Sequence, residues 1–110
     1  MKSPMQLLKE VAPEFAQNQM DAKNMLFESE KYQAIPAKYT YLTGIAVAAV
    51  LNSEMCTNMW VKNAQNAGAS KEEIVEAMLV ARLLKQATVN DTISSALNGL
   101  TSIETTNVNS

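Results

Sequence analysis

The segment from Ser70 to about Gln86 constrains this chain more than any other. Ser70-Lys71-Glu72-Glu73 is a capping box, in which a serine hydroxyl and a glutamate three residues later satisfy the free N–H groups of a helix start. The apolar residues behind it fill two faces. Ile74, Ala77, Met78, Ala81 and Leu84 form one stripe, and Val75, Leu79 and Leu83 form a second. A helix on the surface of a monomer needs only one such stripe. One face is therefore expected to pack within the subunit and the other against a partner subunit.

The rest of the chain reads as helices too. Ser3-Pro4-Met5-Gln6 combines an N-cap serine, a proline at the first helical position and a glutamine three residues after the cap. This helix should stop by Ala12, because Pro13 disfavours helical geometry in the residue before it. Pro13 then opens a second helix to about Glu28, with Phe15, Met20 and Phe27 expected to face inward. Residues 29–34 read as a loop, and Pro36 starts a third helix with its body at 39–51. This third helix is rich in Gly44, Ala46, Ala48 and Ala49. A glycine inside a helix costs about 1 kcal/mol against alanine, so Gly44 is expected to admit another backbone at close range.

Asn52 or Ser53 caps a fourth helix that runs through Cys56 and Trp60 and stops at Gly68, a natural C′ residue. A final helix is predicted from about Asn90 to Leu100, separate from the one ending near Gln86, and residues 102–110 read as a flexible polar tail. The expectation is an all-α, single-domain bundle of five to six helices over residues 1–110. Apolar residues make up 47% of the 110-residue chain and aromatics only 5%, so burial must come from small and aliphatic side chains in closely packed helices. A core of this size leans on oligomerisation.

Composition excludes several functions. A net charge of −2 leaves no basic stripe for nucleic acid, and the longest apolar run, 45–51, is far below the roughly 20 residues needed to span a bilayer. With no histidine and one cysteine, the chain lacks the donors of most transition-metal sites. Neither a metal nor another cofactor is expected. A single cysteine cannot make an internal disulfide, and no charged n-region precedes an apolar h-region, so the expected compartment is a reducing cytoplasm. Without histidine there is no Ser-His-Asp arrangement, and the capping box accounts for Glu73 better than acid–base work does.

The chemistry concentrates in Ser53-Glu54-Met55-Cys56-Thr57-Asn58-Met59-Trp60. Cys56 sits in the first turn of its helix, where free N–H groups and partial positive charge favour a thiolate. It reads either as a reactive thiol or as a small, inert core residue beside Met55 and Met59, which themselves read as core, the alternative being a methionine-lined ligand surface. Ser53 reads as an N-cap whose oxygen takes the N–H of Cys56, or as a hydrogen-bond partner of the sulfur. Trp60, one turn beyond Cys56, either lines an apolar pocket with Met59, plugs that pocket, or anchors a subunit interface.

The stretch 38–81 resembles the alkylhydroperoxidase D-like and carboxymuconolactone decarboxylase family. The resemblance rests on the Ala-rich helix 42–51, the cysteine-bearing helix start, Asn63-Ala64-Gln65-Asn66-Ala67-Gly68-Ala69 and Ser70-Lys71-Glu72-Glu73-Ile74-Val75-Glu76-Ala77. Ala12-Pro13-Glu14-Phe15 is similar to the family's upstream helix opening. Active members carry a Cys-x-x-Cys pair, a histidine four residues after the second cysteine and a glutamate fifteen residues before it. By that spacing the second cysteine is Cys56, the first is replaced by Ser53, the histidine by Trp60 and the glutamate by Tyr41.

The resemblance implies an alkylhydroperoxidase D-like fold and a trimeric or hexameric homo-oligomer. Its dithiol cycle cannot run on one cysteine. What remains is a one-cysteine peroxidase or thiol oxidoreductase centred on Cys56, with an external thiol as reductant, Ser53 as a helper, and Tyr41 either as a proton donor or as an amphipathic packing residue. The alternative is a catalytically silent homo-oligomer that binds a small apolar ligand or a protein partner. Decarboxylation of a lactone follows from the family name alone and lacks an evident acid–base pair.

Overall fold

The structure is a computed structural model that describes residues 1–109, with side chains through residue 102. It contains five helices and, among the described residues, no strand: α1 (Pro4–Val11), α2 (Pro13–Glu28), α3 (Ala37–Val50), α4 (Glu54–Asn66) and α5 (Lys71–Asn109). The all-α expectation holds. No described helix is long and apolar enough to cross a membrane. The chain divides into two compact units, residues 1–40 and 41–110.

In the first unit the helix boundaries follow from local chemistry. Ser3 Oγ accepts from the Gln6 N–H at 3.2 Å while the Ser3 N–H donates to Gln6 Oε1 at 2.7 Å, completing the capping box of α1. The Ala12 N–H closes α1 by donating to Leu8 O at 2.7 Å, and Pro13 opens α2 in the next residue. Lys2 and Glu10 form an exposed ion pair across α1. The inward face of α2 is displaced by one residue from the expected one. Ala16 is fully buried whereas Phe15 is 74% exposed; Met20, Lys23 and Phe27 are half-buried. Ala16, Met20, Lys23 and Phe27 follow the spacing of one helix face, and Phe15 lies about 100° away from it. Gln33 folds back to donate its side-chain amide to Phe27 O, closing the loop after α2.

The second unit is built on the junctions that flank α4. Asn52 has φ +62°; of the two expected candidates for the cap of α4, it is the one that terminates α3 instead. The Asn52 N–H donates to Ala49 O and the Ser53 N–H to Ala48 O, the paired bonds of a left-handed helix stop. Ser53 then caps α4, so two residues turn the chain from one helix into the next. The far end of α4 repeats the device. Gly68 has φ +92°, its N–H donates to Gln65 O, and the Ala69 N–H reaches Ala64 O at 2.9 Å. Ser70 and Glu73 exchange the expected capping-box bonds at the start of α5, 2.8 and 3.1 Å.

The core of this unit joins three helices. Ile45 of α3, Ala64 of α4 and Ile74 of α5 are buried together, with Tyr41, Leu42, Trp60, Val61 and Ala69 packed around them. Ala48 and Ala81 are also buried. Of the first stripe on α5, Ile74 and Ala81 are buried and Ala77 is half-buried, while Met78 and Leu84 stay exposed. The second stripe, Val75, Leu79 and Leu83, is exposed throughout.

The largest departure from the sequence reading is in α5, which does not break between Gln86 and Asn90. It is one helix of 39 residues, about 60 Å at 1.5 Å per residue. Residues 87–89 contain neither proline nor glycine, and the hydroxyls along this stretch bond back to their own helix. Thr88 donates to Lys85 O, Thr92 to Thr88 O, Ser94 to Asp91 O and Thr101 to Leu97 O, at 2.6 to 2.9 Å. The expected tail, 102–110, falls largely outside the described side chains.

The left-handed stop at Gly68 has a measurable cost if a side chain is added. Nothing lies within 4 Å of a Cβ built there, so Gly68→Ala is opposed by backbone conformation alone. It should lower stability by about 1–2 kcal/mol, read as a fall in the urea midpoint with an unchanged slope.

Candidate functional site

The two-residue turn after α3 determines where the thiol sits. With Ser53 as N-cap, Cys56 becomes the third residue of α4. Ser53 Oγ accepts from the Cys56 N–H at 3.2 Å, which is the capping role rather than a bond to sulfur. Thr57, which sequence reasoning passed over, donates its hydroxyl to Ser53 O at 2.7 Å and holds the cap from the other side. Its signal was a threonine four residues after a capping serine. Cys56 is free and half-buried. The thiol is neither sealed in the core nor displayed on the surface.

Along α4 the residues Cys56, Trp60 and Ala64 follow one another every four positions and so share a face. That face runs into the core, where Ala64 is fully buried. Met55 and Met59, one position round the helix, are exposed. The expectation that they fill the core is therefore corrected, because the core-facing stripe of α4 passes beside them.

Trp60 occupies space cleared by α3. A Cβ added to Gly44 would lie 2.9 Å from Trp60 Cδ2 and 3.2 Å from Cγ, inside van der Waals contact. Gly44 therefore admits an indole ring, and the expected backbone neighbour is replaced by a side chain. Tyr41, three residues earlier, meets the same ring with centroids 5.7 Å apart and planes tilted by 37°, a separation typical of favourable aromatic pairs. The four positions singled out in the sequence thus form two pairs. Ser53 and Cys56 share a capped helix start, and Tyr41 and Trp60 share an aromatic contact.

Two shallow concavities on this unit lie elsewhere. One is lined by Lys71, Glu72, Val75, Glu76 and Leu79. The other lies between α3 and α5, with Val47, Val50, Leu51, Val80 and Leu84 among its lining residues. Neither includes Cys56, Ser53, Tyr41 or Trp60.

The helix order, the capped thiol and the box at Ser70 agree with a family match. The family model for carboxymuconolactone decarboxylases matches residues 13–91. The chain belongs to the carboxymuconolactone decarboxylase family. No curated protein and no solved structure matches it significantly. The match takes in α2, α3, α4 and the first half of α5 and so contains every position of the site; α1 and the distal part of α5 lie beyond it.

Within this family fold the Gly44–Trp60 contact is separable from helix propensity. Gly44→Ala should destabilise the protein by about 1–2 kcal/mol, overpacking outweighing the better helix former. In a Trp60→Leu background the same change should be neutral or stabilising. Thermal unfolding of the four chains gives the coupling between the two positions.

Proposed function

We propose that this family member is a thiol-dependent, one-cysteine peroxidase acting at Cys56. The observation that carries the reading is the placement of a half-buried, free thiol at the third position of α4. The helix start supplies partial positive charge to the sulfur. In the first step the Cys56 thiolate attacks the terminal oxygen of a hydroperoxide. An S–O bond forms as the O–O bond breaks, two electrons pass from sulfur to the peroxide, and the alkoxide takes a proton from water and leaves as an alcohol.

The resulting sulfenic acid condenses with an external thiol, releasing water and leaving a mixed disulfide. A second external thiol displaces Cys56 as thiolate and restores the starting state. Ser53 holds the first turn in place through the Cys56 N–H. Trp60 follows Cys56 by one turn on the same face of α4, with Tyr41 against its ring, and this apolar, aromatic neighbour favours an organic hydroperoxide over a charged one.

The aromatic pair also supports a second reading. Trp60 fills the space above Gly44 at the position where the family resemblance places a histidine. A plugged site would make the protein a silent assembly that acts through its surfaces. Both readings share the oligomer, which rests on Val75, Leu79 and Leu83 of α5 and Val47 and Leu51 of α3, all exposed in the single chain. Apolar residues arranged in contiguous stripes mark an interface, and a second copy of the chain is the proposed occupant.

Two measurements decide. Peroxide consumption with a dithiol donor should be at least tenfold faster for the wild type than for Cys56→Ser, and equal rates would remove the peroxidase in favour of the silent assembly. Sedimentation at micromolar concentration should give a discrete species larger than the 12.0 kDa chain. A stable monomer there would refute the oligomer.

A further inference from the structure

Beyond Ala81 every described residue of α5 is exposed, through Ser102. The second half of the helix therefore leaves its side chains exposed in its own chain, although helices in proteins draw most of their stability from packing an apolar face. Its residues are nonetheless ordered in sevens. Leu79, Leu83, Gln86, Asn90, Ile93, Leu97 and Leu100 alternate at spacings of four and three, the seam of a coiled coil. Thr88, Asp91, Thr92, Ser95, Asn98 and Ser102 occupy the opposite side. Ile74 and Ala81, which face the subunit core, also lie opposite the seam, so the seam points away from the body that holds the helix.

We propose that this arm pairs antiparallel with the same arm of a second copy, about a two-fold axis that crosses the seam at the level of Thr88. The proposal rests on the oligomeric reading above and deepens it. Self-complementarity is what selects a second copy. Two polar residues, Gln86 and Asn90, interrupt the seam at neighbouring layers, where burial leaves an amide needing a partner. With the axis at Thr88, Gln86 of each chain meets Asn90 of the other. Two further layers are apolar on both sides, Leu83 against Ile93 and Leu79 against Leu97, and at the tip Leu100 packs on the aliphatic stem of Glu76.

The tip of the arm then reaches the start of the other copy's α5. Leu97 and Leu100 lie over the concavity lined by Val75 and Leu79, which gives that depression an occupant. The apolar side chains of the two seams with Val80 and Val89 beside them bury roughly 1,000 Å² in all, enough for a specific interface. A lipid surface fits poorly, since the two amides stand in the middle of the face that would enter it. Ile93, Leu97 and Leu100 lie beyond residues 13–91, so this half of the seam is a feature of the chain and not of the matched family region.

The test is Leu97→Asp, with helix content checked by circular dichroism. It should halve the sedimenting mass and weaken the pairing roughly a hundredfold. An oligomer of unchanged mass overturns the arm pairing while leaving the oligomer itself standing; a wild-type monomer removes both. Orientation is read in a Cys56→Ser background by mixing Leu83→Cys and Ile93→Cys chains under oxidation. Mixed disulfides between the two chains are expected, and Leu83→Cys chains linked to each other would overturn the antiparallel arrangement. A monomer that floats with phosphatidylcholine vesicles would assign the seam to lipid and likewise overturn it.

Discussion

The second unit depends on one contact, the indole of Trp60 seated against the bare backbone of Gly44. Without a Cβ at position 44, a helix as small-faced as α3 can approach α4 closely enough for Ile45 and Ala64 to be buried together. Ile74 of α5 completes that cluster. The only large aromatic surface in the cluster is the Tyr41–Trp60 pair, in a chain with few aromatics. Interdigitation of an indole with a glycine does here what a set of bulky aliphatics does in a larger core.

The site inherits its geometry from the same arrangement. The left-handed turn at Asn52 ends α3, and Ser53 at once begins α4. Nothing flexible separates the helix that carries Gly44 and Tyr41 from the one that carries Cys56 and Trp60. The thiol is therefore placed by backbone hydrogen bonds and a capping serine, and the indole by packing. These are different physical causes, and they explain why the four residues fall into two pairs instead of one convergent cluster.

Much of this was legible in the residues. Both capping boxes, Pro13 and Gly68 marked helix ends to within a residue, because each acts through chemistry within a few positions of itself. Cys56 and its serine cap were legible for the same reason. What failed depended on tertiary packing or on a balance of local terms. Phe15, Met55 and Met59 are apolar residues beside a buried stripe, and nothing in their identity says which side they fall. The neighbour of Gly44 lies sixteen positions away on another helix. In α5 two helices were expected on either side of residues 87–89, yet the hydroxyls of Thr88 and Thr92 bond to the helix itself.

The seating of Trp60 on Gly44 has a consequence for the routes by which such a site can change. An indole in place requires glycine opposite; a smaller ring would leave a void lined by Tyr41 and the α3 backbone. Replacing position 60 by the histidine that the family pattern places there would thus open a cavity, and filling that cavity at position 44 would bar the indole's return. Each substitution costs less in the presence of the other. The pair behaves as a ratchet, and building dithiol chemistry on this scaffold would require coordinated changes at 44 and 60 before a second sulfur at 53 could be of use.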